Sequence, residues 1–312
     1  MVTQHKPVLK EEVLHFLELN NRRLIVDGTL GDGGHTEAIL RRTGPQCRVL
    51  GIDRDAAALE RARKRLATFG GRVILVQGNY SDIKNILSDQ RMEAMDGFLL
   101  DLGVSSPQLD TANRGFSFRQ DGPLDMRMDA SQKTTASDLL KELSDDELAT
   151  IIKEYGEERH AKRIVRLIRK AQGKGPLETT LALSHILSSA ARNPRPTKIH
   201  PATKTFQALR IAVNRELEHL ELGLTNSIDN LNDGGRMVVI SFHSLEDRRV
   251  KNFFRDEEKG CVCPPKTPIC ICGHKQRLKV LTRRPVTAEP EELQDNPRSS
   301  SAKLRAAERV YV

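Results

Sequence analysis

The sequence predicts an α/β protein: a mostly parallel sheet with helices on both faces, interrupted by an inserted all-helical domain. Three observations predict it. Short, almost wholly apolar runs alternate with segments of helical period as far as residue 101, the pattern of parallel strands buried on both faces. A glycine-rich loop joins the first of these runs to the helix after it. Helical signals then dominate until an apolar run returns at 235–241.

The elements follow in order. Val8, Leu9, Val13, Leu14, Phe16 and Leu17 share a helical period over residues 8–19. Leu24 to Gly28 reads as a short buried strand ending in a turn, and Thr36 to Arg42 as the helix beyond the glycine loop. Arg48 to Asp53 is a second strand, and residues 55–68 a helix with Ala58, Leu59, Ala62 and Leu66 on one face. Arg72 to Gln77 is a third strand, Ser81 to Leu87 a short helix capped by Ser81, and Gly97 to Asp101 a fourth strand. Residues 103–130, rich in Gly, Ser, Pro and Asp, read as an ordered or substrate-gated loop. Ser144-Asp-Asp-Glu147 is a capping box opening a helix. Further helices are expected over 157–172, Thr179 to Ala191 and, as one long helix, Ala202 to Leu222. Gly235 to Ser241, Gln276 to Thr282 and Leu304 to Val310 supply three last strands. The expected division is a discontinuous sheet domain, 1–108 and 209–312, around a helical insertion, 109–208.

Composition limits the function. Of 312 residues 38% are apolar, 4% aromatic and none is Trp, so the core should be aliphatic. The formal charge of +8 favours a polyanionic partner, whose phosphates clustered Lys and Arg can neutralise. No apolar run approaches the roughly 20 residues of a membrane span, and Met1 to Glu12 carries no signal-peptide core. A cytoplasmic location without membrane contact is the expectation.

The strongest local signal is Asp27-Gly-Thr-Leu-Gly-Asp-Gly-Gly-His35, followed by Asp53 at the end of the next strand. Ligands of open parallel sheets bind beyond the carboxyl ends of the strands. Glycines there admit a close backbone approach, and an acidic residue about 20 positions on can accept both ribose hydroxyls. Asp53 lies 19 residues after Gly34. The dinucleotide pattern G-x-G-x-x-G needs a glycine where Thr36 stands. Asp27 and Asp32 would repel a pyrophosphate but suit a sulfonium and an ammonium. The site therefore favours S-adenosylmethionine over NAD.

The fourth strand runs into Asp101-Leu-Gly-Val-Ser-Ser-Pro-Gln108, a loop that should face the methyl donor. An exocyclic amine conjugated to its ring is a weak nucleophile. Ser105, Ser106 and Pro107 form a stiff turn whose hydroxyls and carbonyls could hold the amino hydrogens and aim the lone pair. Holding donor and acceptor in line is most of what the reaction requires.

These motifs make the chain similar, nearly end to end, to the bacterial 16S ribosomal RNA cytosine-N4 methyltransferase family (RsmH, or MraW). The similarity also runs through His5-Lys-Pro-Val-Leu9, Arg114-Gly-Phe-Ser-Phe118, Gly122-Pro-Leu-Asp-Met-Arg-Met128 and Tyr155-Gly-Glu-Glu-Arg159. It continues in the stretches His200 to Arg210 and Ser241-Phe-His-Ser-Leu-Glu-Asp-Arg248. The resemblance implies a Rossmann-like class I methyltransferase sheet with an inserted all-helical domain. It implies N4-methylation of one cytidine near the ribosomal P site, with 16S rRNA in the 30S subunit as partner. Carried over by position, the cofactor contacts would be Gly33, Gly34, His35, Asp53, Tyr80, Asp101 and Gln108, with Tyr80 able to stack on adenine. One departure is Ser300, where the family's Asn-Pro-Arg-Ala-Arg-Ser signature has Arg. The sequence leaves a homodimer open.

On the RNA side, Phe116 and Phe118, beside Arg119, could stack on an extruded base or simply anchor their loop. Lys162, Arg163 and Arg166, with His200, Lys204 and Arg210, are candidates for phosphate contacts. His243 and Glu246 could line the substrate cleft or form a structural turn. Cys261, Cys263, Cys270 and Cys272 could hold zinc tetrahedrally, although reduced structural thiols are the simpler expectation and no metal is required. The rivals to the main reading are an amino-methyltransferase acting on DNA or a small molecule, and a non-catalytic RNA-binding assembly factor.

Overall fold

A computed structural model describes residues 6–190, 200–264, 269 and 271–311. The chain divides into two compact units, one of Met1–Gly103 with Leu217–Val312 and one of Val104–Glu216.

The first unit is built on a seven-stranded sheet: β1 (Leu24–Asp27), β2 (Arg48–Asp53), β3 (Val73–Gln77), β4 (Met95–Asp101), β5 (Leu231–Ser241), β6 (Leu278–Val280) and β7 (Lys303–Arg309), in the order β3-β2-β1-β4-β5-β7-β6. Strands β1 to β5 run parallel; β7 is antiparallel to both β5 and β6. The order reverses at β1, which has β2 on one side and β4 on the other. That is the switch point at which a doubly wound sheet opens a crevice beyond its strand ends.

The apolar runs fill both faces because successive side chains of a strand point opposite ways. Val26, Phe98, Leu100, Met237 and Val239 join one core cluster, while Ile25, Leu99, Val238 and Ile240 join the other. The second face is covered by α1 (Lys10–Leu17), α2 (Gly34–Arg42) and α3 (Ala56–Leu66), which contribute Val13, Leu17, Ile39, Leu40, Leu59 and Leu66. Asp55 caps α3, accepting the Ala57 N–H at 3.0 Å. On the first face, α4 (Ile83–Asp89) contributes Ile83, Ile86 and Leu87. Each aliphatic side chain withdrawn from water in this way contributes about 1.5–3 kcal/mol.

The inserted unit is helical, with α5 (Ser106–Asp110), α6 (Ala136–Glu142), α7 (Asp145–Gly156), α8 (Ala161–Gln172), α9 (Thr180–Ala190) and α10 (Thr203–Asn214). Its own core gathers Leu140, Leu148, Ile152, Ile164, Ile168, Leu183, Phe206 and Leu209. The capping box at Ser144 forms as expected, with Glu147 Oε2 accepting the Ser144 N–H at 2.8 Å.

The chain then returns to the sheet unit through α11 (Glu216–Asp229), α12 (Ser244–Glu258) and α13 (Pro290–Asp295). The single long helix expected over Ala202 to Leu222 is two helices, α10 and α11. Arg215 breaks it in a left-handed conformation, φ 49° and ψ 40°, and its N–H closes the end of α10. The apolar period runs straight across this kink, so pattern alone does not reveal it. The second compact unit runs Val104–Glu216 and contains the expected insertion, 109–208. No described helix is long and apolar enough to cross a membrane.

Candidate active site

Three carboxylates stand at the carboxyl edge of the sheet. Asp27 closes β1, level with Gly51 of β2 and Leu99 of β4. Asp53 and Asp101 lie two residues further along those flanking strands. Steps of two keep a side chain on one face, so all three belong to the face that α2 and α3 cover. The glycine loop crosses directly from β1 to α2.

The loop is tied down by these acids. Asp53 Oδ2 accepts the Gly31 N–H at 2.7 Å and its Oδ1 accepts the Asp55 N–H at 2.8 Å. Asp27 is 1% exposed; its Oδ2 accepts the Thr36 hydroxyl at 2.7 Å and its Oδ1 the Thr29 N–H at 3.3 Å. Thr29 Oγ1 in turn accepts the Asp101 N–H at 2.6 Å. Thr29 and Thr36 thus position the carboxylates, a role unassigned from sequence although both lie in or beside the glycine motif.

The glycines are required by shape. Gly33 has φ 77°, and a Cβ there would come within 3.0 Å of Leu66 Cδ1; one on Gly34 would come within 2.9 Å of Pro7 Cγ. Gly31, at φ 52°, faces open space, with nothing within 4 Å of its would-be Cβ. An open left-handed residue beside Asp53 leaves room for a ligand to approach the backbone.

Electrostatics differ among the acids. Burial pushes the Asp53 carboxyl up to about 6, opposed by the hydrogen bonds from Asp55 and Gly31. Burial also raises Asp27, opposed by the neighbouring His35 ring and the Thr36 hydroxyl. His35, at the start of α2, is 7% exposed, and its Nε2 stands 3.5 Å from Asp101 Oδ2. Both ring nitrogens of His35 and Asp101 Oδ1 are buried without a hydrogen-bond partner. Buried polar atoms left unsatisfied cost about 1–3 kcal/mol each, so a cluster of three implies a polar ligand. A nucleoside with hydroxyls near Asp53 and cationic groups near Asp101 fits this donor set.

Other expected site residues fall out differently. Asp32 is paired, its Oδ1 accepting the Arg61 Nε–H at 2.7 Å. The Tyr80 ring sits in the core, 9% exposed, beneath Gly28 and against Gly223 of α11. Gln108 is 6% exposed at the third position of α5, and its Oε1 accepts the Ser105 N–H at 3.0 Å. Ser105 opens α5 in a capping box with Gln108, its Oγ buried, while Ser106 and Pro107 form the first turn.

The same holds for the RNA candidates. Phe116 is 7% exposed in the insertion's core, so it anchors its loop and is not available for stacking on a base. Phe118 lies 4.6 Å from His200, stacked, and meets Phe206 edge-on at 5.0 Å. Arg210 is held by Glu216 in a two-pronged ion pair, both bonds at 2.8 Å. Lys204 Nζ donates to the Glu157 carbonyl at 3.0 Å, closing the end of α7. His243 caps α12, its Nδ1 accepting the Glu246 N–H at 3.4 Å. Lys162 and Arg166 remain exposed on α8, Arg163 is half-buried there, and Arg119 is exposed. Cys261, Cys263 and Cys272 lie together; Cys270 lies outside the described residues.

Comparison with known proteins decides the family. The profile of the MraW methylase family matches residues 2–310. The chain belongs to the MraW methylase family. A member from Pelobacter propionicus, named ribosomal RNA small subunit methyltransferase H, is 55% identical over 309 residues, covering 98% of this chain and 99% of that one. The protein of the same name from Geobacter sulfurreducens is 54% identical over 311 residues, covering 99% and 100%. This MraW methylase is therefore a methyltransferase, and its methyl donor is S-adenosylmethionine.

Proposed function

We propose that the enzyme methylates the N4 amino group of one cytidine in 16S ribosomal RNA, near the P site, acting in the cytoplasm on the 30S subunit. The observation carrying this reading is the set of buried, unpartnered polar atoms on His35 and Asp101 at the switch between β1 and β4. S-adenosylmethionine, when bound, supplies an electrophilic methyl carbon on a sulfonium. Asp53, ionised, would accept the ribose hydroxyls on the lone pairs left by the Gly31 and Asp55 N–H groups. Gly33 and Gly34 hold the loop in the shape that admits the ligand. Asp101, half-buried at the end of β4, would face the donor's positive charge.

The target amine needs its hydrogens held so that its lone pair points at the methyl carbon. Ser105, four residues beyond Asp101, offers a buried hydroxyl with spare acceptor capacity for this. An amine that took up the methyl group would become acidic, and its proton would pass to water. Phosphate contacts belong to the exposed basic side of α8, Lys162 and Arg166, with Arg119. Labelled methyl transfer to 30S subunits, free 16S rRNA and duplex DNA tests the proposal. Label in N4-methylcytidine of 16S rRNA supports it; transfer to DNA alone, or to none, overturns it.

A further inference from the structure

The segment joining α12 to β6 carries a cluster that methyl transfer does not use. The Sγ atoms of Cys261, Cys263 and Cys272 all lie within 4.8 Å of one another. Cys261 and Cys272 Sγ are 3.7 Å apart. That is far beyond a disulfide bond of about 2.05 Å. It matches the edge of a tetrahedron of thiolates around zinc, about 3.8 Å for Zn–S bonds of about 2.3 Å.

We propose that Cys261, Cys263 and Cys272 are ligands of a structural zinc ion that folds this segment into a knuckle. Two local features favour thiolates. The Cys263 N–H points to Cys261 Sγ at 3.4 Å, a hydrogen bond that stabilises charge on sulfur. Gly273, at φ 62°, turns the chain sharply after Cys272. Around the cluster Val262, Ile269 and Ile271 are 46%, 77% and 84% exposed. Side chains this exposed contribute little burial, and bound zinc would supply the tie between Cys261, Cys263 and Cys272. Zn²⁺ binding displaces the three thiol protons to solvent, and no electron transfer is involved.

The test uses the full chain. Protein purified without chelator should contain about one zinc per chain by elemental mass spectrometry. Metal-stripped protein titrated with Co²⁺ should develop a thiolate-to-cobalt charge-transfer band. The double variant Cys261→Ser, Cys272→Ser should lose both signals, while Cys47→Ser, whose thiol is buried in the sheet core, should keep them. Circular dichroism and donor calorimetry show whether the double variant is folded; if it is not, cobalt binding by the stripped wild-type chain still decides. Sub-stoichiometric zinc with no cobalt band overturns the proposal, as does a Cys261–Cys272 disulfide in the isolated protein.

Discussion

Asp53 Oδ2 accepts the Gly31 N–H at 2.7 Å, so the acid that ends β2 also shapes the glycine loop that follows β1. Replacing it removes both a ligand acceptor and a loop tie. Asp53→Ala should weaken S-adenosylmethionine binding about a hundredfold, the equivalent of one to two charge-assisted hydrogen bonds. RNA binding should be largely retained. Calorimetry with the donor checks this, and equal affinity in variant and parent would contradict it.

The raised Asp53 carboxyl makes donor binding pH-dependent. Ribose hydroxyls need the ionised form, so protons compete with the ligand as pH falls through about 6. Donor affinity should be flat above neutrality and fall by about tenfold per pH unit well below that value. The stability effect has the opposite sign. The folded chain holds this proton more tightly than the unfolded chain, so the ligand-free fold gains from Asp53 at low pH. It loses that contribution as pH rises from 3.8 through about 6. Calorimetry across this range with Asp53→Asn as control separates the two, since the variant should lose the affinity slope.

Gly223 of α11 faces Tyr80 so closely that a Cβ would lie 2.5 Å from its Cδ2 and 2.7 Å from its Cε2. Helix propensity alone would favour Gly223→Ala by about 1 kcal/mol. The clash should reverse the sign and destabilise by about 1–3 kcal/mol. Because Tyr80 also underlies Gly28, donor affinity should drop with the melting temperature. A stabilised variant with unchanged affinity would disconnect Tyr80 from the site.

The insertion's basic residues should split into two classes. Arg210→Ala leaves Glu216 uncompensated in a pair whose side chains are 16% and 9% exposed, and should destabilise by about 3–5 kcal/mol. Lys162→Ala and Arg166→Ala should leave the melting temperature unchanged. Each should weaken RNA binding and reduce its salt dependence by about one phosphate contact. Thermal melts and filter binding at several salt concentrations distinguish the classes.

These contrasts show what the sequence could carry. Strands β1 to β5 are legible because each carries an apolar run bounded by turns, whereas β6 and β7 are shorter or charged and are read more from their place after β5; Asp53 is legible because its distance from Gly34 is a property of one β-α-β unit. The loop's function is legible in its glycines. Pairings between distant positions are not: nothing near Asp32 announces Arg61, and nothing near Arg210 announces that Glu216 will fold back past Arg215. Phe116 and Phe118 look alike as exposed loop aromatics until tertiary packing buries one and stacks the other on His200. Helix α12 is missed as well, because its cap is a histidine.

His35 and Asp101, at the switch between β1 and β4, are proposed to serve methyl transfer to one ribosomal cytidine. Mass mapping of 16S rRNA from a strain lacking the gene, complemented with the parent or with Asp101→Ala, tests it most directly. The expected result is N4-methylation at a single cytidine, absent in the deletion, restored by the parent and not by the variant. A methylation map unchanged by the deletion, or restored equally by Asp101→Ala, would contradict it.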